Sequence, residues 1–184
     1  MRQMASLMLL GSLWASACSQ APASAPAAPK ASPKPEVALT ASALTPDPKL
    51  SRLPLGTRLV VEAEARPARA VRPEQLFAAM QRQGILLSRK RQVLASTVGA
   101  LYCELAVSDT GLGVSFCEYA DDAAARAGAE SSHRLFDAIV PGRTLISHGG
   151  SVLTLTHAQG PRAERAAHAI ADTFSSLSPV KRER

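Results

Sequence analysis

Residues 98–119 read VGALYCELAVSDTGLGVSFCEY, and the fold turns on how this stretch is paired. Val98–Val107 and Leu112–Tyr119 are two apolar, partly alternating runs. Between them Ser108-Asp109-Thr110-Gly111 has turn-forming chemistry, so the segment is expected to be a β-hairpin. With the turn centred on Thr110, Cys103 falls opposite Cys117. Opposed residues on antiparallel strands have α-carbons roughly 4.5–5.5 Å apart, within reach of a disulfide. Alternation then sorts the side chains. The cysteine face also carries Leu101, Leu105, Val107 and Tyr119, and is expected to be the core side. The other face gathers Tyr102, Glu104, Phe116 and Glu118 and is expected to be uncovered, a surface for interaction.

Working outward, Asp121 can cap a helix running from Asp122 to about Val140, with Ala124, Leu135, Phe136 and Ile139 inward and Pro141-Gly142 ending it. Thr144–Ile146 and Val152–Thr156 flank His148-Gly149-Gly150, a second hairpin signal, and Pro161–Leu177 reads as the last helix. Upstream, Arg58–Ala65 (RLVVEAEA) has a β-branched start and is expected to be a strand. Pro73 opens a helix to Gln83, with Leu76, Phe77 and Met80 on one face and Gly84 as its stop. Ile85–Leu94 is strand-like but interrupted by Arg89-Lys90-Arg91. This order predicts an α+β domain over residues 55–178: an antiparallel sheet with helices packed on one face, a ferredoxin-like sandwich. Residues 179–184 form a basic tail.

The chain has 184 residues, 46% of them hydrophobic and 20% charged, enough apolar material for one core and too little length for a multi-domain machine. Aromatic residues make up only 4%, which argues against stacking platforms for single-stranded nucleic acid. Net charge is +6 but uneven: Lys49–Arg91 carries +7 and Gln92–Ser178 carries −4. The basic half could meet anionic surfaces or acidic partners; otherwise the two halves neutralise each other by folding together.

Residues 1–17 have one charge, Arg2, followed by an uncharged stretch from Ala5 to Ala17. That stretch is too short to cross the roughly 30 Å hydrocarbon core and has the pattern of a signal peptide. Its end, Ala15-Ser16-Ala17-Cys18, resembles the lipobox of bacterial lipoproteins, although Ala15 stands where that family more often carries leucine. The resemblance covers only these residues. It implies cleavage before Cys18, acylation of Cys18, and a membrane partner reached through the acyl anchor. Ser19, in place of the aspartate that retains such proteins at the inner membrane, implies the outer membrane of a Gram-negative bacterium. Ordinary cleavage after Ala17, leaving a free thiol, is the competing reading. Residues 18–54 hold eight of the 13 prolines, and read as a lipidated cysteine followed by a Pro/Ala-rich tether in which helix and sheet do not propagate. Export to an oxidising compartment would let Cys103 and Cys117 pair. Two separate buried thiols are the alternative, and a spacing of 14 does not suit a redox-active dithiol.

Catalytic motifs are scarce. His133 with Asp137 and Glu164 with His168 are four apart on their helices, but no metal-ligand cluster or His-Glu-x-x-His motif accompanies them. Ser147-His148-Gly149-Gly150-Ser151 lacks a nucleophile elbow elsewhere in the chain, and Gly111-Leu112-Gly113 lies in a turn, not before a helix. No cofactor, metal or nucleic-acid partner is expected. The sequence therefore predicts a non-catalytic binding or interaction module, docking an envelope protein or self-associating through the Tyr102/Phe116 face. The alternative is an envelope enzyme with an acid/base site drawn from Glu104, Glu118 and His148.

Overall fold

In the computed structural model the described residues are 48–156 and 158–180. The expected signal peptide, Cys18 and most of the expected tether lie outside them, as do His157 and the last four residues. Five antiparallel strands form one sheet: β1 (Leu87–Val93), β2 (Tyr102–Ser108), β3 (Gly113–Glu118), β4 (Thr144–His148) and β5 (Ser151–Leu155). Their order is β1-β2-β3-β5-β4. Helices α1 (Pro48–Ser51), α2 (Leu55–Glu64) and α3 (Pro73–Arg82) precede the sheet, α4 (Asp122–Phe136) connects β3 to β4, and α5 (Pro161–Ser176) closes the chain. The protein has an α+β fold. Because β5 sits between β3 and β4, the β3–α4–β4 passage is a split β-α-β unit of the kind ferredoxin-like sandwiches contain.

The central hairpin has the expected register. Cys103 pairs with Cys117, Tyr102 with Glu118 and Glu104 with Phe116. The two cysteines are joined as a disulfide with their α-carbons 4.1 Å apart. Gly149 and Gly150, at φ +54° and +72°, make the β4–β5 turn, whose left-handed positions glycine occupies without steric cost. The helix starts also follow local chemistry. Pro73 opens α3, where the Gln75 side chain accepts the Arg72 N–H at 2.9 Å. The Asp121 carboxylate accepts the Ala124 N–H at 2.8 Å at the start of α4.

Helices cover both faces of the sheet. Leu76, Phe77 and Met80 of α3 and Ile170 and Phe174 of α5 pack on Ala106, Val114, Phe116, Leu153 and Leu155. Phe116 and Phe174 meet edge to face with ring centroids 5.4 Å apart, and each buried side chain of this size contributes on the order of 1.5–3 kcal/mol. On the opposite face a smaller cluster of Ala95, Ala100, Cys103, Tyr119, Ala125 and Val152 lies under α4.

Helices lie on both faces of the sheet, not on the one expected, and a helical turn, α1, forms at Pro48–Ser51 within the stretch expected to carry no helix. Three further expectations are corrected. Arg58–Ala65 is not a strand, since α2 runs through it. Leu55, Leu59 and Glu62 share one helical face, and Glu62, buried, accepts the Ala95 and Ser96 N–H groups at 2.9 and 3.1 Å. Gln92 adds a bond from its side-chain amide to the Leu59 carbonyl at 2.7 Å. These contacts hold α2 against β1, and the adjacent valines that suggested a strand include Val60, which is exposed. Second, the face of Tyr102, Glu104, Phe116 and Glu118 is not uncovered: Phe116 and Glu118 have 0% exposure, Tyr102 is buried and Glu104 half-buried. Third, α4 ends at Phe136 and buries Ala125, Gly128, Ser131 and Ser132, whereas Leu135 and Ile139 are exposed. The helix meets Tyr119 through its small residues. A Cβ placed on Gly128 would lie well inside van der Waals contact with the Tyr119 ring.

Gly128→Ala should therefore destabilise the domain by about 1–3 kcal/mol through overpacking. Gly56→Ala, in α2 with nothing within 4 Å of the added carbon, should be neutral or stabilising by up to about 1 kcal/mol. Urea unfolding of the two variants beside the parent checks both directions.

Candidate functional site

Two assemblies of chemically distinctive groups lie on opposite faces of the sheet. The first gathers three of the four residues expected to form an interaction face. Arg66, in the connection between α2 and α3, lies under the sheet with its guanidinium against the ring of Tyr102, 4.2 Å from the centroid. Its Nε donates to both Glu118 oxygens at 3.1 and 3.2 Å, and its Nη2 bonds the same carboxylate. The other edge of the fork holds Glu74 of α3 at 2.7 and 2.9 Å. The Tyr102 hydroxyl donates to Glu104 at 3.4 Å. Phe116, the fourth residue, belongs instead to the apolar core.

Each group's acidity follows from its place. Burial pushes the Glu118 carboxyl above the ordinary carboxylate range, against the pull of Arg66. Glu74 is held low by its hydrogen bonds from Arg66. Glu104 is raised by burial and by the neighbouring Glu74 charge, and burial together with Glu104 lifts the Tyr102 phenol to about 12. Burial opposes the Arg66 charge, but its hydrogen bonds to Glu74 and Glu118 outweigh this and its pKa is raised. The cluster is a bidentate carboxylate–guanidinium–carboxylate clamp, geometry that binds strongly because both charges keep their hydrogen bonds. It fastens the α2–α3 connection to β3. His148, the third residue of the acid/base alternative, is occupied elsewhere: its Nε2 is 2.7 Å from the Leu177 carbonyl oxygen and its ring meets Phe174 edge-on.

The second assembly was not anticipated from sequence. On the disulfide-bearing face, α4 covers the sheet only as far as Ser132, and beyond it an apolar groove of about 930 Å3 opens. Leu105, Val107, Ser115 and Thr154 form its floor, Leu55 and Leu59 of α2 one wall, and Phe136 and Val140 the other. That volume is at the upper end of the roughly 300–1,000 Å3 usual for small-molecule sites. Leu105 and Val107, expected in the core, are half-buried groove residues. Three arginines line it and no carboxylate does: Arg89, Arg91 and Arg143. Arg143 is tied down, with Nη1 3.1 Å from Ser132 Oγ and Nη2 2.8 Å from Asp137, and the Arg143 and His133 hydrogen bonds hold the Asp137 carboxyl low. Arg89 and Arg91 are exposed and make no ion pair among the described residues.

The position of Arg91 depends on an irregularity in β1. Leu87 pairs with Ser108 and Ser88 with Val107, but the next pair is Arg91 with Leu105, so the register slips between Ser88 and Arg91. Arg89 takes φ +53° there. In regular alternation Arg91 and Val93 would share the Leu87 face. The extra residue moves both onto the groove face and leaves Lys90 over the Phe77 ring at 4.4 Å on the other.

Among the described residues no group of three or more His, Cys, Asp and Glu side chains is placed to hold a metal ion, and no helix is long and apolar enough to cross a membrane. No protein family, curated protein or solved structure matches the chain, so function has to be read from these two assemblies.

Removing Arg66 leaves Glu118 buried without its partner, and Arg66→Ala should cost about 3–5 kcal/mol at pH 8. The pH dependence follows from the direction of the Glu118 shift, which loss of Arg66 enlarges. A carboxyl whose folded-state pKa lies above its unfolded value binds its proton more tightly when folded. Stability is then greatest below the unfolded value and falls as pH rises through the folded one. The loss should be smaller at pH 4 than at pH 8, and Glu118→Gln in the same chain should restore most of it at pH 8. Thermal unfolding at the two pH values gives the answer.

Proposed function

We propose that this chain is a bacterial envelope lipoprotein, anchored through acylated Cys18 and probing its surroundings with a non-catalytic binding domain at the end of a Pro/Ala-rich tether. The binding surface is the groove between α2 and α4, not the Tyr102/Phe116 face. The observation that carries the reading is the groove itself: an apolar trough built on the sheet, with a cationic rim and no carboxylate in its lining. Such a surface stays open only at a cost in exposed apolar area, which is the ordinary mark of a site that something else covers. Of the groups that an acid/base enzyme would need, Glu118 is wholly enclosed beside Arg66 and His148 is bonded to the Leu177 carbonyl. The lipobox resemblance at Ala15–Cys18 supports the anchor, and the Cys103–Cys117 disulfide suits an oxidising compartment.

Two measurements test the halves of this reading separately. Mass spectrometry of the native protein should find an acylated peptide beginning at Cys18; an unmodified chain beginning there, or one retaining residues 1–17, removes the anchor. For the groove, a photo-reactive benzoylphenylalanine in place of Thr97, an exposed residue on the groove wall, should give a crosslinked adduct of defined mass in intact envelopes. The same residue in place of His168, exposed on α5, should give none. Equal yields from both positions, or none from either, would show that the groove is not where the domain binds.

A further inference from the structure

The groove differs from end to end, and the difference identifies its occupant. Strand register orders the floor: the Cys103–Cys117–Val152 row at one end, the Val107–Gly113 row at the other. At the first end Cys103 and Val152 are buried with Tyr119 and Ala125 beneath α4, and Cys117 between them is half-buried. Towards the β2–β3 turn the floor is half-exposed at Leu105, Val107 and Ser115. Arg91 pairs with Leu105, and Arg89 precedes it towards the open end. An apolar trough covered by α4 at one end, with unpaired cations towards the other, complements a ligand that has one long apolar body and one anionic head.

On these grounds, and resting on the groove reading above, we propose that the groove binds a single-chain anionic amphiphile, a long-chain fatty acid carboxylate, tail towards the disulfide and head at Arg89 and Arg91. An extended peptide is poorly served here. The floor is the face of a sheet whose backbone groups are spent on neighbouring strands, so it offers none of the main-chain partners that strand addition uses. A carboxylate head meets two guanidinium groups with no competing carboxylate in the lining.

The test uses the full-length chain carrying Cys18→Ala, so that it bears no acyl group of its own, folded with its disulfide in place, and measures equilibrium dialysis of labelled palmitate and labelled hexadecanol. Palmitate should bind at one per chain. Arg89→Ala with Arg91→Ala, both exposed changes, should weaken palmitate about tenfold and leave hexadecanol within about twofold, the difference expected for loss of charge-assisted bonds to the head. Ser115→Trp, which fills the floor, should abolish binding of both while circular dichroism stays that of the parent. Saturable palmitate binding that survives Ser115→Trp, or equal weakening of acid and alcohol by the arginine changes, overturns the proposal. So does the absence of palmitate binding. If Ser115→Trp instead dissolves a dimer, or deletion of residues 19–47 creates palmitate binding that the intact chain lacks, the occupant is a second copy or the chain's own tether. Either result refutes the fatty acid while the groove remains a binding surface.

Discussion

A carboxylate with no exposed surface sits on the central strand of this sheet, and the fold can hold it there only because Arg66 arrives from 52 residues earlier in the chain to meet it. The same guanidinium reaches Glu74 on α3 and lies across Tyr102. One side chain thereby fixes three things: where the chain turns after α2, where α3 begins, and which face of the hairpin lies inside. α2 ends two residues before the clamp, so the helix that walls the groove inherits its position from it. Burying charge is costly, and the pairing is better read as a device that specifies position than as a source of net stability.

The groove follows from a shortage of cover. α3 and α5 bring large side chains to one face, which carries the larger apolar cluster. The other face has α4, whose contact residues are small: Ala125, Gly128, Ser131 and Ser132. Small residues let the helix lie close to Tyr119 but give it little reach sideways. On the far side, α2 is tied to β1 and the Ala95–Val98 turn through Glu62 and Gln92, so it cannot slide inward to close the gap. The open floor between the two is thus a product of specific hydrogen bonds on one side and close packing on the other.

Local chemistry was legible in the sequence and distant chemistry was not. The Asp121 cap, the Pro73 helix start and the two-glycine turn depend on residues a few positions apart, and the hairpin register and cysteine pair on one turn within residues 98–119; all are present as expected. The α+β class followed from their order. Deciding which face of the hairpin is inside required knowing that Glu118 has a partner, and nothing near it in the chain names Arg66. An uncovered face is what local pattern supports, and the distant Arg66 is what encloses Glu118. α2 was mistaken for a strand because Val60-Val61 outweighed the Leu55, Leu59, Glu62 spacing, and because a glutamate capping a distant turn looks like a surface residue. The groove leaves a trace only in the Arg89-Lys90-Arg91 run, which interrupts the strand pattern without disclosing the bulge that turns it.

That irregularity bears also on how the molecule behaves among its own kind. β1 is a border strand of the sheet, and a straight, apolar border is a template onto which another chain can add and begin a fibril. Here the border is kinked at Arg89 and carries three consecutive cations, so an approaching copy would meet broken pairing and like charge together. The residues that shape the mouth of the groove thus also set the limit of the sheet, which makes polymerisation the hazard of any change that straightens or neutralises them.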